Sequence, residues 1–369
     1  MDLKTWLVDS LTGDVITRID MVPGSSFSTV IGGGRMSGQV NLARYRNRDG
    51  TRDTSALLTV LQAFGGGRHS ILLTSGTETI GEWVVFGYVR DHDAATAAVS
   101  GFEWDDYPQY RSIHTDFKYT NTDAGTIYHD AFTDVFNTFQ PADRQIVVSS
   151  PPTLGHRMDM KTLPRTGYYS DLIGDLDALG LTEWRIVPTA TWSDGVPVKV
   201  TRTVTYQQPI LSSNHPDPLV KAGSGERGGN LTAFSRSYDF SRIAGTVIGW
   251  GAGKGKKQRY AMSQDGGHLS RGHIGITRNV HHSGEYNNAQ LQMKTDQVLA
   301  DSKDPWDPTR ATVDARRLSQ LPRIGGVHDV TVAPAWSYPE GGSWRMRVGE
   351  ATYRAGSPLV DLEMEVVES

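Results

Sequence analysis

Between residues 168 and 187 the alternation of apolar and polar positions is clearest. Apolar side chains recur at Tyr168, Tyr169, Leu172, Ile173, Leu176 and Leu179. That three-to-four-residue period places one apolar stripe along a helix. Thr166 or Ser170 is placed to cap its start, the early aspartates suit the positive end of the helix dipole, and Gly180 stands at the left-handed C′ position. The next segment, 181–187, alternates at period two as far as Pro188 and reads as a strand. On both sides the pattern is mostly short strands and glycine turns. It describes a mixed α/β module set between two β-rich portions.

Before this module, 5–9 and 14–19 form a hairpin through Leu11-Thr12-Gly13. Residues 37–42 alternate as a further strand after the glycine bend 32–34. Asp53 or Thr54 caps a helix carrying Leu57, Leu58, Leu61 and Phe64, which stops at glycines 65–67. Segments 70–74 and 82–90 pair across Ser75-Gly76, and 94–104 continues the β pattern, giving a small barrel or sandwich with one covering helix. Thr122 or Asp123 then caps a helix carrying Ile127, Tyr128, Ala131, Phe132, Val135 and Phe139, closed by Pro141. Residues 146–148 form a short strand and 151–164 an irregular excursion. Beyond the module, 198–206 alternates, 208–230 reads as a linker or exposed loop, and 231–238 and 245–250 resume β structure. A helix is expected over 286–300, a stiff break at 304–308 and a short helix over 311–320. The chain closes with strands at 327–333, 343–349 and 359–367. No repeat of fixed period is present.

Composition narrows the chemistry. The 369 residues contain no cysteine, which excludes disulfides, thiolate catalysis and cysteine zinc sites. Forty glycines fit many turns, and a formal charge of −4 makes no whole-chain case for nucleic acid. No apolar run reaches the ~20 residues of a membrane span and the N-terminus lacks a signal-peptide pattern, so a soluble protein is expected.

Local chemistry is sparse. Residues 249–257 invite a phosphate-loop reading, but no frame has the required Gly-Lys-Ser/Thr spacing, and a basic hairpin tip fits better. Residues 242–278 carry Lys254, Lys256, Lys257, Arg259, Arg271 and Arg278 against Asp265 alone, which reads first as a solvated loop and second as a patch that meets acidic neighbours or passing DNA. His268, His273, His281 and His282 lack the spacing of a zinc pair. Glu103, Asp105 and Asp106 flank Trp104, and Asp91 and Asp93 flank His92. Such carboxylates serve acid–base hydrolysis when an apolar pocket keeps one protonated, although strand ends carry them routinely. No Gly-x-Ser-x-Gly elbow occurs. The nine tryptophans read as core anchors or subunit contacts.

Three regions together resemble the hub, or minor tail-tip, proteins of long-tailed bacteriophages, particularly those of actinobacteria. They are Trp6-Leu7-Val8-Asp9 to Ile16 with Gly34-Arg35-Met36-Ser37-Gly38-Gln39-Val40, the Tyr168–Ile173 helix with Glu183-Trp184-Arg185-Ile186, and Arg236 to Val247. Gly245 stands where that family often carries Asn. The resemblance implies an α+β chain of two tube-like β-barrels with α/β insertions. Its parts would be a first barrel at 1–104, an insertion at 105–195, a second barrel portion at 196–285, a helical insertion at 286–325 and closing strands at 326–369. It further implies a ring, commonly a homotrimer, that continues the tail tube at the virion tail tip and meets the distal tail, tape-measure and tip proteins while genomic DNA passes. The resemblance assigns no catalytic residue, metal or cofactor, and Lys254, Lys256, Lys257 and Arg259 would form a partner- or DNA-facing loop. The competing expectation is a wall-carbohydrate enzyme or binding domain with Glu103, Asp105, Asp106 and the tryptophans lining a cleft.

Overall fold

Strand-forming residues at alternating positions produce the first half. A computed structural model of the chain describes residues 3–46, 51, 53–64, 68–90, 94–137, 146–161, 167–207, 213–223, 228–238, 243–254, 257–267, 270, 275–282, 287–303 and 308–368. Its first elements are β1 (Leu3–Asp9), β2 (Val15–Ile19), β3 (Ser26–Val30), β4 (Arg35–Asn41), α1 (Thr54–Ala63), β5 (His69–Ser75), β6 (Glu78–Arg90) and β7 (Thr96–Glu103). Strands pair antiparallel in the order β4-β7-β6-β5-β1-β2. The chain leaving β2 then returns to β4, where Asn41 N–H donates to Asp20 O (2.8 Å) and Val22 N–H to Gln39 O (2.7 Å). The six-strand run is thereby tied back on itself. Inside lie Leu7, Ile19, Met36, Ile71, Trp83 and Val85, with Val60 and Phe64 of α1 packed against them. Asp53 caps α1 by accepting from Ala56 N–H at 3.0 Å, as expected.

A short helical turn, Trp104–Tyr110, leads into β8 (Lys118–Asp123), α2 (Ala124–Asn137), β9 (Ile146–Val148), β10 (Arg157–Lys161), α3 (Tyr169–Asp177), β11 (Glu183–Ser193) and β12 (Val196–Gln207). The helix pattern is realised: Tyr169, Leu172, Ile173 and Leu176 are buried against Ile127, Tyr128, Phe132 and Trp184. Three details differ from the sequence reading. The cap of α3 is Tyr168, whose N–H donates to the Asp171 carboxylate (2.9 Å), not Thr166 or Ser170. The 151–164 excursion contains β10, which pairs antiparallel with β8. The Trp184 strand runs through Pro188 to Ser193, because β11 is an edge strand and a proline on its free side removes no ladder bond. The hairpin to β12 turns at Asp194-Gly195, both with positive φ (49° and 75°), the geometry of a type I′ turn. Phe139 and Pro141 lie outside the described residues, and Phe136 closes the α2 core.

The remaining strands are β13 (Ser213–Asn214), β14 (Leu219–Lys221), β15 (Leu231–Arg236), β16 (Thr246–Trp250), β17 (Tyr260–Gln264) and β18 (Thr277–His281). They are followed by α4 (Asn288–Ala300), β19 (Thr309–Asp314), β20 (Gly326–Val332), β21 (Gly342–Arg354) and β22 (Leu359–Glu368). The expected helix at 311–320 is instead β19 followed by one short turn, since Thr309, Ala311 and Val313 bury alternate positions. The 208–230 linker contains β13 and β14, each parallel to β20. A second run therefore reads β14-β20-β21-β22-β19-β15. Its two ends are tied by Asn230, whose Oδ1 accepts from Val220 N–H (2.7 Å), and by Lys221 Nζ donating to Thr232 O (2.5 Å). β3 joins the two runs, pairing with β4 on one side and with residues 350–354 of β21 on the other. Fourteen strands among the described residues thus share one sheet and one core. Between β15 and β19, α4 covers the separate sheet β17-β16-β18.

Candidate functional site

The carboxylates around Trp104 end β7, where the chain leaves the first run for the insertion, and they are inside the protein. Glu103 accepts from Gly34 N–H (2.9 Å) and from Arg185 Nη2 (2.8 Å), while Asp105 accepts from Ile186 N–H (2.7 Å). Arg185 also approaches Asp105 Oδ2 at 3.8 Å. Burial pushes both carboxyls up, Asp105 to about 7, against the opposing pull of Arg185. Asp106 pairs with Arg35. Beside this trio, Arg202 of β12 grips Glu82 of β6 through Nε (2.8 Å) and Nη2 (2.6 Å), with both side chains wholly buried. Ser70 Oγ–H donates to the same carboxylate, and the Arg202 guanidinium lies 4.7 Å over Trp104. Both ionic groups link the β11–β12 hairpin to the first run. They make a dry junction that fixes the insertion, and neither Glu103 nor Asp105 is among the residues lining the cavity described next.

A cavity of about 500 Å³ lies where the first run, insertion and second run meet, lined by Thr29, Glu78, Arg185, His215, Arg323 and Tyr353. Three of its polar groups have partners: Glu78 pairs with Arg323 within the lining, Arg185 with Glu103 behind it, and Tyr353 O–H donates to Pro322 O at 2.6 Å. Among the described residues no group of three His, Asp or Glu side chains is arranged to hold a metal. His281 is exposed at the end of β18, and burial lowers the His282 pKa. His268, His273, Asp91, His92 and Asp93 lie outside the described residues.

The glycines of 249–257 have packing reasons. A Cβ on Gly249 would sit 2.1 Å from Thr295 Oγ1, so glycine lets α4 close on β16, and Gly253 turns the chain at φ 117°. Lys254, Lys257 and Arg259 stand at this β16–β17 tip, while Lys256 and Arg271 lie outside the described residues. The sheet face away from α4 exposes Tyr260 and Met262 beside Trp250, whose ring lies 5.8 Å from Tyr260. This apolar face with a cationic rim was legible only as charge in the sequence, because β17 and β18 lack a strong alternating signal.

Trp6, Trp83, Trp104 and Trp184 are core anchors. Trp336, by contrast, is 105% exposed at the turn between β20 and β21, and no pattern in the sequence separates it from the others.

No protein-family profile matches the sequence, and no curated protein matches it. Solved structures do match, over nearly the whole chain. The tail protein from Neisseria meningitidis MC58 superposes with a TM-score of 0.61 at 11% identity, covering 99% of this chain and 96% of that one. The 43 kDa tail protein of prophage MuSo2 from Shewanella oneidensis gives 0.57 at 12% identity, with 99% and 98% covered. Prophage tail protein gp18 from Listeria monocytogenes EGD-e gives 0.50 at 11%, with 98% and 94% covered. The mostly β fold, with its few helices, is that of phage tail proteins.

Proposed function

We propose that this chain is a structural subunit of a bacteriophage tail tip: a hub that closes into a ring, a homotrimer, and continues the tail tube. The observation that carries the reading is the end-to-end likeness to tail proteins, which covers 99% of this chain and 96% and 98% of those two chains. Two features of the chain support the finer statement. Each six-strand run is tied at its ends, by Asp20–Asn41 in the first and Asn230–Val220 in the second, which supports two tube-like barrels. β3 holds those barrels in one sheet, so they turn as a rigid pair, as a load-bearing annulus requires. In this reading Lys254, Lys256, Lys257 and Arg259 meet acidic tail neighbours or passing DNA, the distal tail, tape-measure and tip proteins are its partners, and no cofactor or catalysis is needed. The wall-enzyme reading finds no support at Glu103 and Asp105, which hold Arg185 in a dry junction.

The test is placement in the particle. Antibody against the chain, applied to virions that carry it and viewed by electron microscopy, decorates the distal end of the tail. Labelling of the capsid, or of no virion component, overturns the proposal.

A further inference from the structure

We propose that the stacked pair His215 and His328 is an acid-released latch: a proton on the pair frees residues 213–221 from β20 and opens both the end of the second run and the cavity where the two runs and the insertion meet. The device belongs to the single subunit and does not depend on the ring.

Residues 213–221 hold β13 and β14, each parallel to β20, and β14 closes the second run through Asn230. Between the two strands the chain reads His215-Pro216-Asp217-Pro218, and neither proline has an N–H to give. Side chains hold the stretch instead. His328 of β20 is wholly buried, with its ring 4.1 Å from that of His215. His328 Nδ1 stands 3.1 Å from the Asp217 carbonyl, and His215 Nε2 stands 3.3 Å from the Leu321 carbonyl. A carbonyl only accepts, so each of these nitrogens carries the hydrogen and each neutral ring keeps its other nitrogen bare. His215 Nδ1 accepts from Asp217 N–H at 3.3 Å. His328 Nε2 is buried with no partner among the described residues.

The pair therefore suits the neutral form alone. A proton on His215 Nδ1 sets one N–H against that of Asp217, and a proton on His328 Nε2 makes a buried donor with no acceptor, beside a second ring. Charged groups reach the pair from each neighbouring element. The Asp217 carboxylate accepts from Ser319 N–H (2.7 Å), Ser319 Oγ–H (2.8 Å) and Gln320 N–H (3.2 Å). Asp329 follows on β20, Arg345 of β21 lies opposite it in register and bonds Asn214 Oδ1, and Arg323 from the turn before β20 pairs with Glu78. Burial, and then His215, holds His328 down at about 4 against the pull of the Asp217 carbonyl and the Asp217 and Asp329 carboxylates. The closed latch thus binds fewer protons than the open one, in which His328 titrates near its ordinary 6.5. Its support for closure is fully present above that pH and is lost as pH falls through about 4. This one ring moves the balance about 100-fold toward the open form between pH 7 and pH 4. Opening also takes Ser213, Asn214, His215 and Pro216 from the cavity wall.

Hydrogen exchange of the full chain, read by mass spectrometry and referred to the unfolded chain at the same pH, measures the opening. Residues 213–221 are expected to lose protection about 100-fold between pH 7 and pH 4, while β5 and β6 change less than about 3-fold. His328→Asn keeps a donor for the Asp217 carbonyl but takes no proton, and it should cut that loss to under about 10-fold with protection at pH 7 retained. Should that variant not fold, His215→Gln, which keeps a donor for the Leu321 carbonyl and removes the second ring, gives a loss at least about 3-fold smaller than wild type. No loss at 213–221 by pH 4, a loss shared equally by β5 and β6, or an undiminished loss in these variants overturns the inference. A loss that persists in His328→Asn but disappears in Asp217→Asn makes the carboxylate the trigger and overturns it as well. None of these outcomes bears on the ring reading.

Discussion

Replacing Arg202 by methionine probes the dry junction most sharply. Arg202 and Glu82 are both wholly buried and meet through two bonds of 2.6 and 2.8 Å. At that separation and an effective dielectric of about 20, their attraction is about 6 kcal/mol, and it offsets a desolvation cost of several kcal/mol per ion. The intact pair is therefore worth little net. Methionine fills part of the guanidinium's volume but leaves the Glu82 carboxylate in the interior with, among the described residues, Ser70 alone to support it. The expected loss is about 3–5 kcal/mol. The Ser10 carbonyl also loses its 3.3 Å donor. Urea unfolding followed by circular dichroism measures the loss, and the companion Glu82→Leu/Arg202→Met variant should recover to within about 2 kcal/mol of wild type because it removes both charges. Should the single variant lose under about 1 kcal/mol, or the double variant lose more than the single one, the junction is not the dry, paired site described.

Other outcomes follow from the same geometry. Asp105, raised to about 7, holds a proton that the unfolded chain releases near its ordinary carboxyl range. Its contribution is complete below about pH 4 and is lost as pH rises to about 7, so Asp105→Asn flattens the fall in unfolding free energy over that window. His328, fully buried and stacked 4.1 Å from His215, is lowered to about 4 by burial. Its contribution is present above pH 6.5 and lost as pH falls through 4, and His328→Gln reduces acid sensitivity in thermal scans between those limits. Gly34→Ala places a Cβ 2.0 Å from Ser28 O and costs about 1–3 kcal/mol in denaturant unfolding. Gly249→Ala lifts α4 from β16, and adding Thr295→Ala restores part of the lost Tm because Thr295 Oγ1 is the atom struck.

Periodic segments were legible from the sequence, and the reasons others were not are physical. α3, α1 and the β1–β2 hairpin carry strong apolar periods with matching turn residues, and each formed where expected. The 311–320 segment misleads because Ala, Arg and Leu favour helix, while burial of Thr309, Ala311 and Val313 between β15 and β22 decides for strand. Pro188 reads as a stop only if its neighbour on both sides is a strand, and nothing local reveals that β11 is an edge. The role of Glu103 depends on Arg185, 82 positions away, so its identity as an acid was visible but its partner was not. The same holds for Trp336, whose isolation from the core is a property of the folded chain alone.

The central claim is that two end-tied strand runs, held in one sheet by β3, assemble by closing on copies of themselves. Light-scattering mass of the purified full chain, measured over a range of concentration, tests it most directly. The account predicts a discrete species of three times the subunit mass, which persists on dilution until the ring dissociates. A single-subunit mass maintained at high concentration contradicts it.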